Sequence, residues 1–164
     1  MSEAAREILP ENAPVQEVFP QEEPKLPMKW HFFLVRIYLW LAAIYHLFQA
    51  AWIFTGRIYM EPAARDAIYT SMPGMRILDF GFAALLAAGA ILQGLAALKL
   101  VRKRKTGISL LTGAYILLIL SIVVYLAARL LIAGMPPVSL PLIGQAVSCL
   151  ALLGINRSYY KKRL

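Results

Sequence analysis

A carboxylate, Asp79 in "SMPGMRILDFGFAALLAAGAILQGLAAL", and a guanidinium, Arg129 in "SIVVYLAARLLIAG", stand inside otherwise apolar segments, with an imidazole, His46, in a third. A carboxylate and a guanidinium at one level can neutralise each other, and a histidine can relay protons, sense pH or bind a ligand. Charged side chains cost about 2.5–3.5 kcal/mol at the centre of a membrane helix, so such residues face protein or water rather than lipid. We therefore expect a polar cluster of Asp79, Arg129, His46, Gln49, Gln145 and Tyr125.

Other chemistry is not signalled. There is no glycine-rich phosphate loop, no H-E-x-x-H and no G-x-S-x-G. Intramembrane proteolysis needs paired aspartates or a nucleophile with its base; Asp79 stands alone, and Ser121 and His46 lack a third partner. One histidine without a second ligand at its level cannot fill a coordination shell. The single cysteine, Cys149, excludes an intrachain disulfide and reads as a small packing residue. No catalytic residue, metal or cofactor is expected, and the chain does not read as an enzyme.

The elements that position these residues follow from composition. Of 164 residues 60% are hydrophobic and 16% charged, with a mean hydropathy of +0.62. Soluble domains are about 45–50% apolar and about 25% charged. Four segments, 32–54, 77–98, 107–132 and 138–155, approach or exceed the about 20 helical residues that cross a hydrocarbon core. The last carries Pro141 in its first turn, where a missing donor costs little. Short joints, "KLVRKRKT" and "AGMPPVS", make the spans they link antiparallel neighbours. The first joint, "GRIYMEPAARDAIYTSMPGM", is longer: Pro62 can start a helix, Pro73-Gly74 can stop it, and Ala64, Ile68 and Met72 recur at helical spacing. A short amphipathic surface helix over about 61–71 is expected there, with an irregular loop as the alternative.

Residues 1–28 lack the basic start and apolar run of a signal peptide, and they concentrate acidic residues and prolines. Such a tail is expected to be disordered. The division is thus an acidic, proline-rich tail, 1–28, and a transmembrane domain, 29–164. The formal net charge of +8 lies beside apolar segments, which indicates topology rather than a nucleic-acid partner. Lys99, Arg102, Lys103, Arg104 and Lys105 fill one joint, Arg157, Lys161, Lys162 and Arg163 the C-terminal end, and Lys25 and Lys29 precede the first span. The opposite side has only Arg57, Arg65 and Arg76, so the positive-inside bias places both termini in the cytoplasm. Trp30, Phe32, Phe33, Trp52, Tyr59, Tyr159 and Tyr160 cluster at span ends as an interface belt. The closing "KKRL" matches a dilysine retrieval signal and equally serves as a basic flank.

At 100° per residue each span has one small or polar face. Asp79 aligns with Ala83, Ala90, Gln93 and Ala97; His46 with Ala42, Ala43, Gln49 and Ala50; Ser121 with Tyr125 and Arg129; Gln145 with Ser148, Cys149, Leu152 and Asn156. Small residues admit a neighbouring backbone, so these faces point inward. The expected fold is all-α, a four-helix transmembrane bundle running up-down-up-down. On the boundaries above, Asp79 lies roughly 3 Å and Arg129 roughly 5 Å below the outer surface, with His46, Gln49 and Gln145 roughly 10–12 Å down. An Asp79–Arg129 ion pair follows from the shared level. The alternative has Arg129 snorkelling to headgroups and Asp79 capping its helix. His46 reads either as a functional group or as a plain interhelix hydrogen bond, and Arg36 can snorkel from the cytoplasmic end.

The stretches "KWHFFLVRIYLWLAAIYHLFQAAWIFTGRIY", "YTSMPGMRILD" and "NRSYYKKR" resemble a group of small four-span membrane proteins of Gram-positive bacteria. The likeness covers most of 29–163 and maps the family's Pro-Gly-apolar-basic turn onto Pro73, Gly74, Met75, Arg76, Leu78 and Asp79. Many members carry a cysteine-rich zinc ribbon before the first span, which this chain replaces with its acidic tail. The resemblance implies a bacterial plasma membrane and brings no activity. The expected role is a non-enzymatic accessory or interaction subunit, in contact with the bilayer and with other membrane proteins or further copies of itself. The alternative is a small oligomeric channel or transporter with an outer polar vestibule.

Overall fold

Five helices account for nearly all of the described chain, in a computed structural model that describes residues 28–59, 61–134 and 140–163. They are α1 (Lys29–Phe54), α2 (Pro62–Ser71), α3 (Pro73–Val101), α4 (Thr106–Ala133) and α5 (Leu140–Lys161). All but α2 are long and apolar enough to cross a membrane. The expected all-α four-helix bundle is the observed architecture. The acidic tail, as far as residue 27, and most of the last joint lie outside the described residues.

Helix ends depart from expectation in two informative places. Pro73 and Gly74 do not merely stop α2; Pro73 is the first residue of α3, where its fixed φ and missing N–H fit a helix start. Met72 alone, at φ −134° and ψ 76°, separates the two helices. α3 therefore begins four residues before the expected 77, one full turn. At the other end of the chain α5 continues past Ile155 to Lys161, which carries Asn156, Tyr159 and Tyr160 on the helix. Gly134, at φ +63°, ends α4 in a left-handed cap whose N–H donates to Leu130 O at 2.9 Å.

α1 contains one π-helical turn, Leu34–Tyr38. The wider turn absorbs extra residues, so His31, Val35, Leu39 and Ala43, four apart, all remain buried on one side. The short helix expected in the first joint is present as α2, with Pro62 in its first turn after an extended Glu61. Its inward side is carried by Arg65, Ile68, Tyr69 and Met72, while Ala64 is exposed. The face is rotated from the Ala64–Ile68–Met72 stripe because Tyr69 is drawn toward the bundle.

α3 is the central rod. It packs along α1 on one side and α4 on the other, and α5 packs on α4. In the most apolar stretch of α3 44% of residues are buried, against 11% in α5, so α5 is left to lipid or a partner over most of its surface. The predicted faces of α3 and α1 turn inward: Asp79, Ala83, Ala90, Gln93 and Ala97 of α3 are all buried, as are Ala43, His46 and Ala50 of α1; on α4 Ser121 and Tyr125 are buried and Arg129 half-buried, and on α5 Cys149 and Asn156 are buried while Ser148 is exposed. Within lipid this packing rests on van der Waals fit and interhelix hydrogen bonds. A Cβ on Gly89 would stand 2.6 Å from Leu118 Cδ2, so the glycine sets how closely α3 and α4 approach. α1 and α5 nowhere bring Cα atoms within 8 Å of each other, and long side chains bridge that side.

Candidate functional site

Asp79 is completely buried, and three phenols converge on it. Tyr59, from the joint after α1, donates to Oδ2 at 2.6 Å; Tyr69 of α2 donates to the same oxygen at 2.9 Å. Tyr125 of α4 donates to Oδ1 at 2.9 Å. The Tyr125 ring stacks on Phe82 with centroids 4.1 Å apart, and Tyr59 meets Tyr69 edge to face at 5.5 Å. One carboxylate thus ties α2 and the preceding joint to α3 and α4. Hydrogen bonds to a charged group are worth about 1.5–3 kcal/mol each, which offsets much of what burying the carboxylate costs.

Burial, and next the hydrogen bond to Asp79, pushes the Tyr69 phenol up to about 12; the same two causes, in the same order, raise Tyr59 well above its ordinary range. Both therefore stay protonated as donors across the neutral range. A carboxylate already accepting three hydroxyls is poorly placed to act as a base or a metal ligand. Among the described residues no three His, Cys, Asp or Glu side chains gather as a metal site.

The expected Asp79–Arg129 ion pair is not formed. Among the described residues no carboxylate oxygen lies within 4.0 Å of the Arg129 guanidinium, and the one ion pair is Arg65–Asp66 at 2.8 Å on the surface. The earlier start of α3 removes the level the two charges were expected to share. Counted from Pro73, Asp79 lies about 9 Å below the end of its helix, while Arg129 lies about 6 Å and Tyr125 about 12 Å from the end of α4. The phenol reaches the carboxylate from one side and the guanidinium is left beside it, half-buried, along a cleft wall. The capping alternative fails for the same reason: Asp79 sits beyond the first turn of α3, and Met72 at the cap makes no side-chain bond.

The six-residue polar cluster divides into separate units. His46, buried on α1, shares a 2.9 Å hydrogen bond between its Nδ1 and Gln93 Oε1 on α3. An amide oxygen only accepts, so Nδ1 carries the proton. Gln93 is fully buried, and among the described residues its Nε2 has no partner. Gln49 Nε2 donates to Gln145 Oε1 at 3.2 Å, joining α1 to α5, and to Tyr45 Oη at 3.0 Å. Leu86, Leu118 and Ile122, none of them exposed, lie between the Asp79 level and the His46–Gln93 pair.

Sequence reasoning missed a second network at the other end of the bundle. Trp30 Nε1 donates to Asn156 Oδ1 at 2.8 Å, His31 Nδ1 meets Tyr160 Oη at 2.8 Å, and the His31 backbone N–H donates to Tyr159 Oη at 3.3 Å. Tyr160 is 1% exposed, so the aromatic belt expected at this level is in part an interhelix joint. Tyr59 and Tyr69 were missed as Asp79 partners because they lie outside the spans. The only signal was their position on the joint that leads into Asp79. The basic residues Arg102, Lys103, Arg104 and Lys105 are exposed at the end opposite α2, with Lys99 half-buried on α3 about 30 Å from Asp79.

No family model, curated protein or solved structure matches the chain.

Proposed function

We propose that the chain is a non-enzymatic accessory or interaction subunit of a bacterial plasma membrane, with both termini and the 99–105 loop in the cytoplasm. The observation that carries this reading is the use made of the intramembrane polar groups. Asp79, His46, Gln93, Gln49 and Gln145 each bond a residue on another element, and together they hold the helices in register. None is left aimed along a common path, and apolar side chains separate the levels. Meanwhile α5 and the Phe33–Ile37–Trp40–Ile44 side of α1 present long uncovered apolar surfaces. A membrane partner or lipid suits such surfaces equally by chemistry. The cytoplasmic placement of the ends is supported by the segregation of basic residues.

The test is purification of the full-length protein in mild detergent, with mass spectrometry of what accompanies it. A defined larger membrane complex that survives His46→Ala supports the subunit reading. Purification without a partner, together with solute flux in liposomes that vanishes on His46→Ala, would replace it with the channel or transporter reading. Sidedness is read separately with single cysteines at Lys103 and Asp66 in a Cys149→Ala background: an impermeant maleimide added to intact cells should label the second position and spare the first.

A further inference from the structure

α1 and α5 close their side of the bundle through side chains alone, at Trp30–Asn156, His31–Tyr160 and Gln49–Gln145. Between the glutamine bridge and the α2 end the helices part. A cleft of about 480 Å³ opens there among Phe48, Trp52, Phe82, Leu142 and Arg129, with Gln49 at its edge. Its volume falls within the about 300–1,000 Å³ typical of small-molecule sites. Arg129 and Gln49 supply its charged and amide walls, and the other side chains just named are apolar.

Two groups on its wall are short of partners among the described residues. Among those residues Arg129 meets no carboxylate within 4.0 Å, and Gln49 Oε1 is buried without a donor. One calls for an anion and the other for a hydroxyl or N–H. A guanidinium binds a phosphate with paired N–H donors, a geometry that a carboxylate-free arginine in a partly dry cleft favours. We propose that this cleft binds one anionic phospholipid with a hydroxyl-bearing headgroup. The phosphate sits on Arg129, a headgroup hydroxyl faces Gln49, and one acyl chain runs down between Phe48 and Phe82. A guanidinium set among apolar walls, between helices long enough to cross a membrane, suits an anion that carries an acyl chain, which distinguishes this occupant from a soluble anion or a wholly apolar helix.

The test uses the full chain, delipidated in mild detergent, and native mass spectrometry with phosphatidylglycerol, phosphatidylcholine or inorganic phosphate. Phosphatidylglycerol should be retained about tenfold or more tightly than phosphatidylcholine, the difference expected for one charge-assisted contact. Arg129→Gln should abolish that preference, whereas Lys103→Gln, at the far end of the bundle, should preserve it. Leu142→Trp should fill the cleft and weaken retention of both lipids while leaving the lipid-free unfolding midpoint near wild type. Equal retention of the two lipids overturns the proposal, as does a preference that survives Arg129→Gln. So does retention of inorganic phosphate as tight as that of phosphatidylglycerol, or a lipid-free dimer that covers the cleft.

Discussion

The hydroxyl cage around Asp79 predicts a specific non-additivity between Asp79→Asn and Tyr125→Phe. In the native protein Tyr125 donates to an ionisable carboxylate in a fully buried position, a bond in the class worth about 1.5–3 kcal/mol. Asparagine keeps the shape but only one acceptor oxygen. Placed at the Oδ2 position, that oxygen can still receive Tyr59 and Tyr69, and the amide then turns its N–H toward Tyr125, whose oxygen accepts. The bond that remains is neutral, worth about 0.5–1.5 kcal/mol. Tyr125→Phe should therefore destabilise the wild type more than it destabilises the Asp79→Asn protein, with a coupling of about 1–1.5 kcal/mol. The ring and its stacking on Phe82 are retained in the phenylalanine, so packing cancels from the comparison. Reversible unfolding by sodium dodecyl sulfate in mixed micelles supplies the four free energies. A parallel cycle with Arg129→Gln in place of Tyr125→Phe should give a smaller coupling. Additivity of Asp79→Asn and Tyr125→Phe to within about 0.5 kcal/mol, or a larger coupling to Arg129, would refute the hydroxyl cage.

Three further outcomes follow from the same geometry. A tyrosine whose folded pKa is raised contributes stability that is complete below its unfolded value of about 10 and is lost as pH rises through the folded value. With Tyr69 at about 12, stability should hold to about pH 10 and fall between about 10 and 12; Tyr69→Phe should flatten that fall, read by unfolding against pH. His46→Leu leaves the buried Gln93 amide wholly unsatisfied and should cost about 1–3 kcal/mol, whereas His46→Leu with Gln93→Leu should recover most of it; no recovery in the double variant would contradict the pairing. Gly89→Ala sets a methyl against Leu118 and should destabilise by about 1–3 kcal/mol, with partial rescue by Leu118→Ala in the same unfolding assay.

Much of the bundle was legible from periodicity, and the residues show why. Asp79, Ala83, Ala90, Gln93 and Ala97 fall on one side of α3 at any choice of helix start, and all five are buried. What the pattern could not supply was depth. An α3 that begins at Pro73 rather than near Ile77 lowers Asp79 by about 6 Å, which takes it off the Arg129 level to midway between Arg129 and Tyr125, where side-chain direction decides the partner. Proline followed by glycine signals a boundary without saying whether a helix ends or begins there. Polar residues sharing a face also need not share a site: His46 and Gln145 both point inward, yet their partners are Gln93 and Gln49 respectively.

The sequence by itself determined the number of helices, their approximate lengths and their inward faces. Backbone groups in hydrocarbon must be satisfied within each segment, and a charged or amide side chain cannot face lipid cheaply, so both constraints act locally and leave a local record. Only the tertiary structure decided which groups meet. The partners of Asp79 come from a joint, a short helix and a span, and their meeting depends on the axial offset and rotation of four rods. A hydrogen bond tolerates a few tenths of an ångström, whereas one residue of helix register moves a side chain by about 1.5 Å and about 100°.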